Sequence, residues 1–299
     1  LNLYNKTYFL FYNILAKKIL TFHKGGQNNA NIIRVNKLMT DYFFWFQLLI
    51  FLLGASIGSF LNVCIYRIPE NKSIIFPGSS CPNCNNSIPF YCNIPVISYV
   101  FLKGRCKFCK QSISIRYPLI ETLTGSFALL LFYKFGGTSV AIYWFVFTSV
   151  LTTISFIDID HQIIPDIISL PGIFLFASSF YFLPEMTFFK TVSGIIIGGG
   201  SLYAVAILYY LLRKQEGMGG GDIKLLAMIG AATGIKGVIF TIFTGSILGT
   251  ATGILIMIYT RTIAIKLKIP FGPFLSAGAI VYIFYGKQLI QWYLTGLRL

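Results

Sequence analysis

Apolar residues in this chain run in long, nearly unbroken stretches. They do not alternate with polar residues at the two-residue or 3.6-residue periods of half-buried strands and helices. A helix that crosses a bilayer core needs about 17–25 apolar residues. Such stretches fall near 42–66, 118–135, 139–157, 166–183, 188–212, 222–234, 236–260 and 271–286, the sixth being short. The pattern predicts an all-α polytopic membrane protein with about eight transmembrane helices. One long polar segment, 67–117, separates the first two. The chain thus divides into an N-terminal extension (1–38), a first transmembrane helix (39–66), a polar insert (67–117) and a membrane domain (118–299). The spans show no convincing internal repeat.

Composition agrees with a membrane setting. Of the 299 residues 56% are hydrophobic and only 11% charged, against about 25% charged in a soluble domain. Mean hydropathy is +0.74. The formal net charge of +15 raises the question of nucleic acid, but no basic stripe is interleaved with exposed aromatics. Nucleic acid is therefore not an expected partner, whereas membrane lipid is.

The placement of the basic residues orients the chain. The insert holds Arg67, Lys72, Lys103, Arg105, Lys107, Lys110 and Arg116, which predicts that it is cytoplasmic. Alternating from there, the other inside loops hold Arg213 and Lys214, then Arg261, Lys266 and Lys268, while the outside loops hold Lys134, Lys190, Lys236 and Lys287. Residues 1–38 break the bias. They carry six bases and no acid, yet precede a span that starts outside. The expectation is that the natural chain starts at Met39. The alternative is a genuine basic, partly amphipathic tail. The stretch lacks the apolar core and small-residue cleavage site of a signal peptide.

Within the insert, Cys81 and Cys84 form one Cys-x-x-Cys pair, Cys106 and Cys109 a second. This is the spacing of a four-thiolate zinc site, and a metal can staple a segment too small for a full core. Two disulfides or free thiols are the alternatives, and a reducing cytoplasm disfavours disulfides. Cys64 and Cys92 are expected to be small buried residues.

Acids are scarce, nine in all. Asp158, Asp160 and Asp166 stand in "FIDIDHQIIPD", and Asp222 follows the glycines of "GMGGGD". Both stretches lie at predicted cytoplasmic ends of spans, where an ionisable residue is costly unless paired or wetted. Each of the first three could be an ordinary interfacial acid. Asp222 could be a helix N-cap, which leaves the glycines unexplained. A carboxylate pair explains more: one, ionised, activates water, while the other, protonated, donates to a scissile carbonyl. Glycines before Asp222 would admit the backbone of an extended peptide. Proton-carrying acids of a transporter usually sit near the bilayer midplane instead. A transporter or assembly scaffold with proton-carrying aspartates and a zinc-docked partner is the competing reading.

Taken together the motifs resemble the bacterial type IV prepilin peptidases, or leader peptidase/N-methyltransferases, of the GxGD aspartyl protease family. The matching pieces are "GSFLNVCIYRIP" (58–69), "CPNC", "NIPVISYVFLKGRCKFC" (93–109), "ISIRYPLIETLTG" (113–125), "IDIDHQIIPD" (157–166), "GMGGGDIKLLAMIGAATG" (217–234) and "FGPFLSAGAI" (271–280), covering about 45 to the end. The resemblance implies that Asp158 and Asp222 are catalytic, with Gly219, Gly221 and Lys224 in support. Lys224 is expected to tune Asp222 electrostatically, and its alternative is a snorkelling lysine. Asp160, His161 and Asp166 match without being expected catalysts. Glu121 is expected to pair with Arg116 or to contact substrate. The implied substrates are pilins and pilin-like proteins whose basic leader is cut at the cytoplasmic face of the inner membrane. The new N-terminus is then methylated from S-adenosylmethionine, an activity tied to the insert through Gly104 and Arg105.

Overall fold

The structure, a computed structural model, describes residues 29–81, 83–215, 219–260 and 269–296. Most of the tail before Met39 and the predicted inside bases Arg261, Lys266 and Lys268 lie outside the described residues. Each predicted apolar stretch falls on helix. The helices are α1 (Asn29–Arg67), α2 (Ile97–Phe101), α3 (Arg116–Phe135), α4 (Ser139–His161), α5 (Asp166–Ala177), α6 (Ser179–Phe182), α7 (Phe188–Arg213), α8 (Gly220–Thr260) and α9 (Gly272–Gly296). Among the described residues there is no strand, only two isolated bridges within the insert. Four helices are long and apolar enough to cross a membrane by length and composition: Asp41–Arg67, Ser139–His161, Phe188–Arg213 and Gly220–Tyr259.

Two compact units emerge. Among the described residues, one comprises those up to Phe60 together with those of Gly78–Phe145; the other comprises Leu61–Pro77 and those from Val146 onward. In the first unit α1 and α3 cross where side chains are smallest. A Cβ on Gly54 would stand 2.6 Å from Ala128 Cβ, and one on Gly58 would stand 2.8 Å from Glu121 Cα.

In the second unit α8 packs against α5, α7 and α9. Its first half is sheathed: Leu225, Leu226, Met228, Ile229, Ala231 and Ala232 are all buried. That is why the sixth apolar stretch is so short and so uniformly apolar, since a helix buried on every side needs no polar face. Gly234 (φ 67°, ψ −173°) breaks α8, so the sixth and seventh stretches are two helices stacked across one glycine. Glycines also let α7 and α8 touch backbone to backbone, the small-residue packing of membrane helices. A Cβ on Gly194 would lie 2.2 Å from Gly230 O, and one on Gly230 would lie 2.1 Å from Gly194 O. The hydroxyl of Ser179 closes this region by bonding Ala231 O at 2.8 Å and the Thr191 hydroxyl at 2.8 Å. These contacts fix the first half of α8, the helix that carries Asp222 in its first turn.

Candidate active site and metal centre

Asp158 ends α4 and is buried. Its Oδ2 accepts the backbone N–H of Gly272 at 3.0 Å. Gly272 opens α9, whose N-terminal end carries a partial positive charge, and Pro273 after it has no N–H to offer. A Cβ on Gly272 would lie 2.6 Å from that same carboxylate oxygen and 3.2 Å from Ile164 Cδ1. Ile164 also covers Gly221, where a Cβ would come within 2.8 Å of Ile164 Cβ. Asp222 is half-buried in the first turn of α8. The charge of Asp158 acts on it. The fold therefore brings Asp158, Ile164, Gly221, Asp222 and Gly272 together from three separate chain segments. At Gly219 and Gly220 a Cβ would meet nothing within 4 Å. Those two leave open space, while Gly221 is required by a packing contact.

Gly272 escaped the sequence reading. The available signal was a Gly-Pro pair beginning an apolar helix, which specifies a turn but not its neighbour. Gly272→Ala is expected to displace the Asp158 carboxylate and, with the catalytic role that the family resemblance implies for Asp158, to lower turnover about 100-fold, the order of loss when a reacting group is misplaced by about 1 Å. Steady-state cleavage by variant protein that retains its helical circular dichroism measures this.

The remaining acids are distributed otherwise. Asp160 and His161 are exposed. Asp166, at the start of α5, receives Lys224 Nζ at 2.6 Å. Lys224 thus pairs with Asp166 and not with Asp222, tying the start of α8 to the start of α5. Glu121 is buried and takes the Val96 N–H at 2.7 Å and a bond from the Ser59 hydroxyl, in place of the expected pairing with Arg116.

In the insert the Sγ atoms of Cys81, Cys84, Cys106 and Cys109 lie within 4.8 Å of one another. All six cysteines are free of disulfides, with Cys64 buried and Cys92 half-buried outside the cluster. Cys81 Sγ and Cys109 Sγ are 3.8 Å apart. A tetrahedral ion with ~2.3 Å metal–sulfur bonds has edges of about 3.8 Å, so the four cysteines fit a metal ion. The two cysteine loops are wired alike. Cys81 N–H donates to Asn86 O and Asn85 N–H to Cys81 O; twenty-five residues on, Cys106 N–H donates to Gln111 O and Lys110 N–H to Cys106 O. Asn85 (φ 53°) and Lys110 (φ 60°) take the same left-handed turn position, and the bridges Ser80–Ser87 and Arg105–Ser112 close the two loops. The repeat is written in "CPNCNNSI" and "CKFCKQSI", a local duplication that a search for repeats among the spans passes over. N–H groups of Cys84 and then Asn83 hold the Cys81 thiol down to about 6, and the Gln111 N–H lowers that of Cys109. The Asn86 N–H favours the Cys84 thiolate too, but desolvation and the neighbouring sulfurs push Cys84 up to about 11. Four sulfurs this close cannot all ionise without a cation between them.

Gly104, just before the second loop, has φ +66°, and a Cβ there would meet Tyr99 OH at 2.9 Å. Arg105 is exposed. With Phe101, Leu102, Lys103, Cys106 and Lys110 it lines an open cavity of about 450 Å³.

This is a multi-helix membrane protein with a carboxylate pair at helix ends and a four-cysteine centre in an insert. Comparison with known proteins places it more narrowly. Residues 52–135 match the bacterial peptidase A24 N-terminal domain and residues 145–254 the type IV leader peptidase family. The prepilin leader peptidase/N-methyltransferase of Pseudomonas aeruginosa is 34% identical over 272 residues, covering 83% of this chain and 93% of its own length. The proteins of that name from Dichelobacter nodosus (35% identical, 80% and 92% covered) and Neisseria gonorrhoeae (34%, 81% and 93%) are similar to the same extent. No solved structure matches. The chain belongs to the type IV leader peptidase family.

Proposed function

We propose that this chain is an aspartic endopeptidase that removes the short basic leader of type IV prepilins and pilin-like proteins and then N-methylates the new terminus. The observation that carries the reading is the convergence of Asp158 and Asp222 at the ends of two helices, beside open glycine backbone. Helix ends suit a peptide bond at the membrane surface better than a proton path through its middle.

In this mechanism Asp158 activates the water. It is bonded to a backbone N–H at a helix N-terminus, which makes it the better-stabilised anion of the pair. Asp222 carries the proton and donates it to the scissile carbonyl oxygen as the water attacks. Asp158, now protonated, passes its proton to the leaving amine as the C–N bond breaks, and Asp222 takes back a proton from a hydroxyl of the collapsing diol, which restores both acids to their starting states. The products are the leader's new carboxylate and the pilin's new N-terminal amine. The open space at Gly219 and Gly220 admits the extended substrate backbone. Lys224 and Asp166 act as a clasp that positions Asp222.

The basic residues of the insert support a cytoplasmic site in the inner membrane, and lipid is the surrounding partner. The thiolate set and its spacing favour zinc, held by Cys81, Cys84, Cys106 and Cys109 in a structural role. S-adenosylmethionine supplies the methyl group, and we place it at the cavity lined by Arg105, whose guanidinium suits the donor's carboxylate. Gly104 shapes the turn that presents Arg105.

Hydrolysis and methyl transfer share no catalytic group, so the two steps are expected to separate by mutation. Asp222→Asn should leave methylation of a pre-cleaved pilin largely intact. Gly104→Val should depress methylation about tenfold or more, with cleavage affected less, because a β-branched residue at φ +66° distorts the turn. Labelled S-adenosylmethionine with pre-cleaved pilin decides this. No label transfer by the wild-type protein would mean that the chain is a peptidase alone.

A further inference from the structure

Beyond the end of α1, Arg67 folds the chain back on itself. Its Nη1 donates to Ser73 O at 2.9 Å and its Nη2 to Pro77 O at 2.8 Å. The Ser73 hydroxyl accepts the N–H groups of Ile75 (3.3 Å) and Phe76 (3.2 Å). The tip between these bonds is apolar and outward: Ile75 is 70% and Phe76 76% exposed. We propose that this loop is a membrane-surface anchor, in which Ile75 and Phe76 insert into the headgroup–acyl boundary beside the end of α1.

Three observations choose lipid as the occupant. The candidate span Asp41–Arg67 has 27 residues, about 40 Å of helix against a hydrocarbon core of ~30 Å, so its last turn stands in the headgroup layer. Arg67 is that last residue, and it grips both ends of the tip. Ile75 and Phe76 are therefore held within one side chain's reach of the bilayer boundary. Second, the N–H groups of Ile75 and Phe76 are already bonded to the Ser73 hydroxyl within the loop, which lowers the cost of taking the tip out of water. Third, the flanks are interfacial in kind. Lys72 lies 5.3 Å from the Tyr66 ring centroid and pairs with Glu70, the aromatic–basic combination found at membrane boundaries. The proposal depends on α1 spanning the membrane and is independent of the peptidase reading.

The test uses full-length protein in phospholipid nanodiscs, with p-trifluoromethylphenylalanine in place of Phe76. Fluorine relaxation by dissolved oxygen, which concentrates in lipid, is compared with relaxation by a water-soluble nickel chelate. The same label at Phe174, 80% exposed on α5, gives the lipid reference, and the free amino acid in buffer gives the aqueous one. The oxygen-to-nickel ratio at position 76 is expected to exceed the aqueous value several-fold, and to fall toward it in Arg67→Gln. An aqueous ratio in the otherwise wild-type protein overturns the proposal. So does an aqueous ratio that rises only when prepilin is added, which would make the tip a substrate contact. A lipid-like ratio unchanged in Arg67→Gln would refute the arginine's part in holding the tip.

Discussion

Asp158→Asn and Asp222→Asn are each expected to lower prepilin cleavage by about 10²–10⁴-fold, the contribution of a positioned acid or base. Asparagine keeps the shape of the side chain but neither ionises nor delivers a proton. In the proposed mechanism the two acids act as one unit, so the double variant should be little slower than either single variant. Asp160→Asn should be mild, since that side chain lies at the exposed end of α4. Asp166→Asn should cost an intermediate amount. It breaks the clasp to Lys224, which is partly exposed on both sides, and such pairs contribute little stability. Initial rates on one prepilin, with helical content and metal content as controls, measure the order of these effects.

Loss of any one cysteine of the cluster is the second large effect. Structural zinc sites in small domains bind with apparent free energies of about 10–16 kcal/mol, and that binding energy is folding energy. Cys81→Ser and Cys106→Ser are therefore expected to lose the ion and open the insert, raising protease sensitivity between Gly78 and Ser114. Wild-type protein should hold about one ion per chain. X-ray absorption should find four sulfur ligands at ~2.3 Å. Removing the ion from wild-type protein with a strong chelator should reproduce the cysteine variants and depress methylation more than cleavage. Metal-free wild-type protein, purified without chelator and with an ordered insert, would exclude a structural ion.

What could be read from the chain follows from the range of the interactions involved. Membrane spans are legible because each is a contiguous property of about twenty residues; the break at Gly234 separates two of them cleanly. The cysteine centre is legible because each half is a four-residue motif. Interactions between distant segments were not legible. Gly272 meets Asp158 across 114 residues of chain, and only folding shows that its missing side chain makes room for a carboxylate oxygen. Lys224 is two residues from Asp222 in sequence, which suggested an electrostatic partner. On a helix, however, residues two apart do not face each other, and Lys224 turns to Asp166. Glu121 had a base five residues before it. It binds the Val96 N–H instead, at a β-branched residue with φ 60°, a conformation that no local pattern signals.

The most direct test of the carboxylate-pair assignment is incubation of purified, metal-loaded protein in detergent with a prepilin, read by mass spectrometry. Wild-type protein alone should release the leader at the bond between the basic segment and the apolar helix. The Asp158→Asn, Asp222→Asn double variant, equally folded and metal-loaded, should release none above the uncatalysed background. Cleavage by the double variant at the wild-type rate, or no cleavage by the folded wild-type protein, would contradict the assignment of hydrolysis to this pair.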